Sequence, residues 1–403
     1  MGVQNDVLIA GGGLSGLTMA TALAGQGLNV TVVDPAAAGG RPSGGETRIS
    51  ALARGSVEWL EHWGVWDLVR GAEPIKAVQV REAGQSGGAL LHHSQMGEGA
   101  AGYVVPNDAL LAALDRRVAE AGIAVIQGAG VASVLPWNDH VSVRLSDGAT
   151  HRAALVIGAD GQNSVVRRML RLKSHSYHHN QYALIANVTP EKPHQGVAFE
   201  RFIDAGPLAL LPLPENRMAM VWTAKRKEAM QLLDLSDEQF CRALRIRFGD
   251  DLGDFSAPTP RRLFPLVLER AEHMVSKRAA LIGNAAHSLH PLAGQGFNLG
   301  LRDVAELAER VLDRHRAGGD LGDAAVLDGY EQARRRDIDA TIAFTEALNL
   351  LYTCPAPPVA WGRRQGLNLF DRFDELKKGL MRRTMGLHLA PPPLPTRQGE
   401  THE

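Results

Sequence analysis

Apolar positions fall in two patterns along this chain. In the first, short continuous apolar runs end in small residues and lead into helical stretches, at residues 6–24, 155–168 and 279–316. Runs of that kind are buried on both faces and read as parallel strands of an α/β sheet. In the second, residues 182–188, 197–203, 208–213 and 218–223 read as strands separated by Pro, Gly and Asn turns. That spacing predicts an inserted, mainly antiparallel sheet over about 177–265. One helix lies within it at 236–248, with Ser236 as its cap and Asp237 and Glu238 in its first turn.

The remaining segments follow the same logic. Residues 75–80 and 89–92 read as paired strands around the polar turn 84–88, and 141–145 and 151–152 flank the hairpin signal Ser146-Asp147-Gly148. A strand is expected at 123–126, with helices at 50–66, 107–121 and 325–352 and a broken one over 361–387. The organisation expected is therefore a discontinuous dinucleotide-binding domain of residues 1–75, 100–176 and 266–340. A substrate domain of 76–99 and 177–265 is inserted in it, followed by a C-terminal helical region of 341–390 and a tail of 391–403 that reads as disordered.

The run Asp6-Val7-Leu8-Ile9-Ala10 enters a loop of the form G-x-G-x-x-G, carried by Gly11, Gly13 and Gly16. Gly11 permits the tight turn, Gly13 lets the backbone approach a pyrophosphate, and Gly16 lets the following helix pack closely on the strand. Phosphates sit at the helix N-terminus, at Gly13, Leu14 and Ser15, where free N–H groups and the dipole favour negative charge. A second strand ends at Asp34, near the expected distance of about 20 residues, where a carboxylate accepts hydrogen bonds from a ribose diol and repels a 2′-phosphate. The loop by itself is also compatible with a plain glycine turn. The strand, the helix and the acid favour a Rossmann-like site without separating FAD from NAD.

Other positions carry weaker signals. Arg48 follows the loop 35–45 at the expected entrance of the helix 50–66; it either reaches a cofactor phosphate or stands in solvent. Asp160 and Gly161 close a second strand-to-helix junction, and ligands of doubly wound sheets gather at such carboxyl ends. Gly294 and Gly296 open a helix whose exposed N–H groups suit an anionic ring edge or a phosphate.

Composition changes the picture mainly by exclusion. Over 403 residues, 45% are apolar and 22% charged, and the formal net charge is −1. No global field attracts nucleic acid. Cys241 and Cys354 fit two reduced thiols and no metal spacing, so no metal is expected. The first strand begins near Asp6, which leaves no room for a signal peptide, and Asp6 stands where myristoylation wants Ser or Thr. No apolar run approaches the roughly 18–20 residues of a membrane span. The expected location is cytoplasmic. Leu369, Phe373, Leu376, Leu380 and Leu387 form one stripe near Lys377, Lys378, Arg382 and Arg383. That basic amphipathic pattern suits either a peripheral contact with the inner face of a membrane or packing on the protein itself.

Three separated segments together resemble the fingerprints of the single-component FAD-dependent aromatic hydroxylases: Gly11 to Gly16, Gly158-Ala159-Asp160-Gly161, and Gly283 to Gly300. The run from His290 to Asp303, with Thr47 to Leu52 and Tyr330 to Arg335, is similar to the ubiquinone-biosynthesis hydroxylases, the UbiH/UbiF/Coq group. The resemblance spans about residues 5–350. It implies a class A flavoprotein monooxygenase architecture, in which FAD lies on Gly11, Gly13, Leu14, Ser15, Gly16 and Asp34. It further implies that Arg48 and Asn284 serve the ribityl–phosphate region and that Asp160 and Gly161 bear on FAD and on a visiting NAD(P)H. Ala293, Gly294, Gln295, Gly296, Phe297 and Asn298 would cradle the flavin ring, with Pro291 facing the substrate. The chain departs from the family at Asn284, usually Asp, at Asp34, often Glu, and at Asn107-Asp108, where a basic residue is expected.

The activity implied is hydroxylation of a polyprenylated phenol by NAD(P)H-reduced FAD and O₂ through a flavin C4a-hydroperoxide, within a ubiquinone-biosynthesis complex. The flavin carries the chemistry, so no nucleophilic triad is needed. His290 either assists phenol deprotonation or bonds its own loop, and His287 is the other nearby titratable group. Two other readings stay open: an FAD enzyme acting on a soluble aromatic, and an FAD-bound subunit without turnover.

Overall fold

The structure, a computed structural model, describes residues 5–37, 48–83, 87–96, 99–289, 294–354, 356, 358–359, 362–363, 365–366, 373 and 375–379. Its first sheet has a parallel centre in the order Ala279–Leu281, Thr150–Gly158, Asn5–Ala10, Val30–Asp34 and Ala124–Gln127. The hairpin of Val141–Leu145 with Thr150–Gly158 forms around the turn expected for it. Val7, Leu8 and Ile9 are completely buried, as a strand covered on both faces requires. The helix Leu14–Leu23 packs between Asn107–Glu120 and Gln295–Arg316 on this sheet.

The second sheet has nine strands and is almost wholly antiparallel. Its centre is Ser174–Pro190, Arg217–Lys225, Gly206–Leu213 and Val197–Ile203, and Ala77–Glu82 joins the last of these in parallel register. Trp222, Phe240, Leu244 and Phe248 form the core between one face of this sheet and the helix Asp237–Phe248. A capping box starts that helix: Ser236 accepts from the Gln239 N–H and the Gln239 side chain accepts from the Ser236 N–H. The helix Ala324–Thr353 packs on Gln295–Arg316 and also on Gly206–Leu213 and Val197–Ile203, so it joins the two sheets.

Three expectations change. Residues 50–66 are not one helix. Ile49–Ala53 is a strand paired antiparallel with Gly102–Pro106, and the helix is only Arg54–His62. The side-chain amide of Asn298 holds this strand from outside the segment, a tertiary contact that overrides local helix propensity. Arg48 therefore stands at the entrance of a strand. A helix also forms at Arg226–Asp234, where none was expected.

The amphipathic stripe is only partly within the described residues. Phe373 and Leu376 are 51% and 57% exposed, yet Lys377 is buried and Lys378 donates to Glu375. Leu369, Leu380, Leu387, Arg382 and Arg383 lie outside the described residues, as does the tail 391–403. Among the described residues no helix is long and apolar enough to cross a membrane.

Candidate functional site

The register of the first sheet places three sequence-distant loops side by side. Ala10 pairs with Gly158, and Gly158 with Leu281, so Gly11, Ala159 and Ile282 leave neighbouring strands at their carboxyl ends. The loops touch. A Cβ on Gly11, whose φ is +108°, would meet the Ala159 carbonyl oxygen at 2.4 Å; one on Gly16 would meet the Gly11 carbonyl oxygen at 1.9 Å. Gly283 has φ +56°, and a Cβ there would meet Ser15 Oγ at 2.4 Å. Such approaches are open only to glycine.

Two helices begin at this junction with no side-chain cap. Leu14–Leu23 starts after Gly13, and Gln295–Arg316 starts after Gly294, whose backbone is left-handed. Both starts line one cavity of about 1240 Å³. A Cβ on Gly13 would meet no protein atom within 4 Å, so that backbone faces open space. Two N-terminal dipoles directed at one cavity, one beside bare glycine backbone, fit an extended anionic ligand such as a dinucleotide.

The sequence-predicted residues divide by what their side chains do. Leu14, Ser15, Arg48, Gly161, Asn284, Gln295, Gly296 and Phe297 line the cavity. Asp34 is buried at its strand end and accepts the Ala36 N–H at 2.9 Å. Asp160 is occupied with its own helix. It accepts from Ser164 Oγ and, at 2.7 and 3.1 Å, from the Val165 and Val166 N–H groups. Asn298 also lines the cavity, but its amide is a clamp: Nδ2 donates to the Ala51 and Gly294 carbonyls and Oδ1 accepts the Ala53 N–H, each at 2.8 Å. His290, Pro291 and Ala293 lie outside the described residues. His287 is buried away from the cavity, and its Nε2–H donates to Asp303 Oδ2 at 2.6 Å.

That last contact belongs to a support built behind the third loop. Asp303 is fully buried and also accepts the Gly283 N–H at 3.0 Å and Arg334 Nε at 2.8 Å. Burial pushes its carboxyl up, but the adjoining His287 and Arg334 outweigh this and hold it below the usual carboxylate range. The Tyr330 hydroxyl donates to the Leu281 carbonyl at 2.9 Å, with burial pushing its ionisation far up. Arg167 links the second loop to the third through the Ala285 carbonyl at 2.7 Å and to the second sheet through Glu269.

From this junction the cavity runs along the inner face of the second sheet. Its wall there is apolar, including Val78, Val80, Ala198, Leu211 and Val221. Glu200 stands in that wall, and burial pushes its carboxyl up to about 7 against the opposing pull of Arg201. Further along, Phe202 stacks on Tyr352 and Arg363 pairs with Glu82. Sequence reading missed Glu200, Tyr352 and Arg363. A period-2 reading of residues 197–203 contains the signal for the first, since it sets one acid between Ala198 and Phe202 on a single face.

The family model described as an FAD binding domain matches residues 4–345. Ubiquinone hydroxylase UbiL of Rhodospirillum rubrum is 41% identical over 96% of this chain and 91% of its own length. The human mitochondrial ubiquinone biosynthesis monooxygenase COQ6 is 31% identical over 93% and 91%, and the 3-demethoxyubiquinol 3-hydroxylase of Escherichia coli is 30% identical over 95% and 98%. Among solved structures, p-nitrophenol 4-monooxygenase PnpA of Pseudomonas putida superposes with a TM-score of 0.79 at 18% identity, over 96% of this chain and 99% of that one, which shows the shared fold of the class A flavoprotein monooxygenases. The chain belongs to the FAD-binding-domain family and, within it, to the group of ubiquinone-biosynthesis hydroxylases.

Proposed function

We propose that this chain is an FAD-dependent monooxygenase that hydroxylates the aromatic ring of a polyprenylated phenol in ubiquinone biosynthesis, with NAD(P)H and O₂ as co-substrates. The observation that carries the reading is the single cavity that begins at two uncapped helix N-termini and continues along an apolar wall. Its polar end suits a dinucleotide and its apolar part suits a ring with a hydrocarbon tail. At about 1240 Å³ it exceeds the roughly 300–1,000 Å³ of a typical small-ligand site, as a cofactor and a substrate held together require.

In this reading the N–H groups after Gly13 take the pyrophosphate and Asp34 takes the adenosine ribose. Arg48 and Asn284 serve the chain between phosphate and ring, and Gly294 to Asn298 support the ring. Asn298 acts there through the backbone it clamps. When bound, FAD supplies the two-electron reduction by NAD(P)H and the activation of O₂. The chain itself orients the phenol on the inner face of the second sheet and keeps water from the reacting centre. Exposed Phe373 and Leu376 support substrate delivery from a membrane surface.

The test is NAD(P)H oxidation by the FAD-loaded protein with and without a prenylated phenol, with the product mass read alongside. The expected result is phenol-dependent oxidation and a product heavier by one oxygen atom. Bound FAD without phenol-stimulated oxidation would overturn the reading. Sedimentation with liposomes, unchanged by Leu376→Glu, would remove the membrane contact.

A further inference from the structure

We infer that Glu200 accepts the proton of the substrate's ring hydroxyl during oxygen transfer. This inference rests on the proposed hydroxylase reading and adds to it a residue that acts on the substrate. Glu200 projects from Val197–Ile203 opposite Ala209 and Val80, so its side chain shares the cavity face with theirs. Its position along the cavity follows from register. Ala198, two residues before it, packs with Leu211 against Ile49 and Ala51, the strand clamped by Asn298 at the cofactor end. Phe202, two residues after it, stacks on Tyr352. Glu200 therefore lies roughly 7 Å along the strand from the cofactor end, between that end and the aromatic stack.

Among the described residues Glu200 has no hydrogen-bond or ion-pair partner. Arg201, next in sequence, points to the other face, where its guanidinium pairs with Asp251 and lies 4.7 Å from the Phe248 ring centre. Among the described residues, the charged or titratable groups beside Glu200 are Tyr352, from the long C-terminal helix, and the Glu82–Arg363 pair, already joined to each other. The other strands of this face present apolar side chains such as Ala209, Leu211 and Val221. A carboxyl group without a partner in an apolar wall is costly unless a ligand supplies the missing donor. A ring hydroxyl is such a donor. The carboxyl value of about 7 suits a base that works near neutral pH.

As the ring attacks the outer atom of the activated O₂ unit, a ring C–O bond forms and the O–O bond breaks, while the hydroxyl O–H bond breaks and its proton passes to Glu200. The hydroxyl oxygen then carries a C=O bond. The proton lost from the attacked carbon passes to the departing oxygen and restores aromaticity, and Glu200 returns its own proton to the original hydroxyl oxygen. O₂ supplies the inserted atom, NAD(P)H supplies two electrons, and the second oxygen atom leaves as water.

The experiment compares FAD-loaded wild type, Glu200→Gln and Glu200→Asp with a geranylated phenol, with hydroxylated product followed from pH 5.5 to 9. For the wild type, kcat/KM rises with pH through an acid limb near 7, because the ionised carboxylate is the working form. Glu200→Gln lowers kcat by about 10²–10⁴-fold, leaves KM within a few-fold, and loses the acid limb. Glu200→Asp keeps the limb at a reduced rate. A Gln variant with unchanged kcat and unchanged acid limb overturns the role of Glu200 while the hydroxylase reading stands. A Gln variant that loses rate but keeps the limb also overturns it, because the titrating group is then elsewhere. A wild type that forms no hydroxylated phenol overturns the hydroxylase reading and this inference together.

Discussion

The Asn298 side chain donates to the Ala51 backbone carbonyl at 2.8 Å, across 247 positions of sequence. With its bonds to Ala53 and Gly294 it fixes the first turn of Gln295–Arg316 against the strand Ile49–Ala53. The amide thus ties together two segments that form adjoining walls of the cavity.

Asn298→Leu removes all three bonds and leaves buried backbone groups without partners. At about 1 kcal/mol for each bond, the expected loss is about 2–4 kcal/mol. Thermal unfolding measures it. Flavin fluorescence on titration should show weaker FAD binding as well, whereas unchanged stability and affinity would mean that water replaces the amide.

Gly13 and Gly16 separate binding from folding. Gly13 has φ −79° and no protein atom near its Cβ position, so Gly13→Val should keep the melting temperature of the apoprotein and weaken FAD binding at least tenfold. At Gly16 the Cβ would sit 1.9 Å from the Gly11 carbonyl oxygen, and Gly16→Ala should destabilise the apoprotein by about 3 kcal/mol or more. Equal effects of the two substitutions on the apoprotein would contradict this division.

Asp303 holds Gly283, His287 and Arg334 at once. Asp303→Ala leaves the Arg334 guanidinium buried without this partner and should destabilise the protein by about 3–5 kcal/mol. Because the folded carboxyl is held below its unfolded range, its stabilisation is complete above about pH 4–5 and is lost as pH falls through the lower folded value. Acid unfolding followed by circular dichroism should therefore lose its Asp303-dependent part only at low pH.

Glu200 has the opposite sign. Its folded carboxyl, at about 7, lies above the unfolded value, so the native state binds more protons between about pH 4.5 and 7 and stability falls as pH rises through that window. Glu200→Gln should therefore stabilise the apoprotein by roughly 1–3 kcal/mol at pH 8, with the gain disappearing near pH 4.5. Chemical denaturation at the two pH values checks this. An equal effect at both would show that the carboxyl titrates in the folded cavity as it does in the unfolded chain.

The strand-to-helix junctions at Gly11, Gly158 and Gly283 were legible in the linear chain because each rests on local chemistry: a buried apolar run and glycine where a Cβ cannot fit, with a bare helix start at the first and third. The antiparallel insertion was legible for the same reason, through turn residues and alternating faces. Tertiary structure alone decided the rest. Residues 49–53 became a strand because Gly102–Pro106 pairs with them and Asn298 reaches them from the far end of the chain. Asn298 became a clamp because Ala51 and Ala53 come within its reach only after folding. Glu200 is an ordinary strand acid in one dimension. It becomes an unpartnered base only when two sheets and a C-terminal helix bring an apolar wall around it, since the surroundings of a side chain are properties of the packed structure and not of the residue.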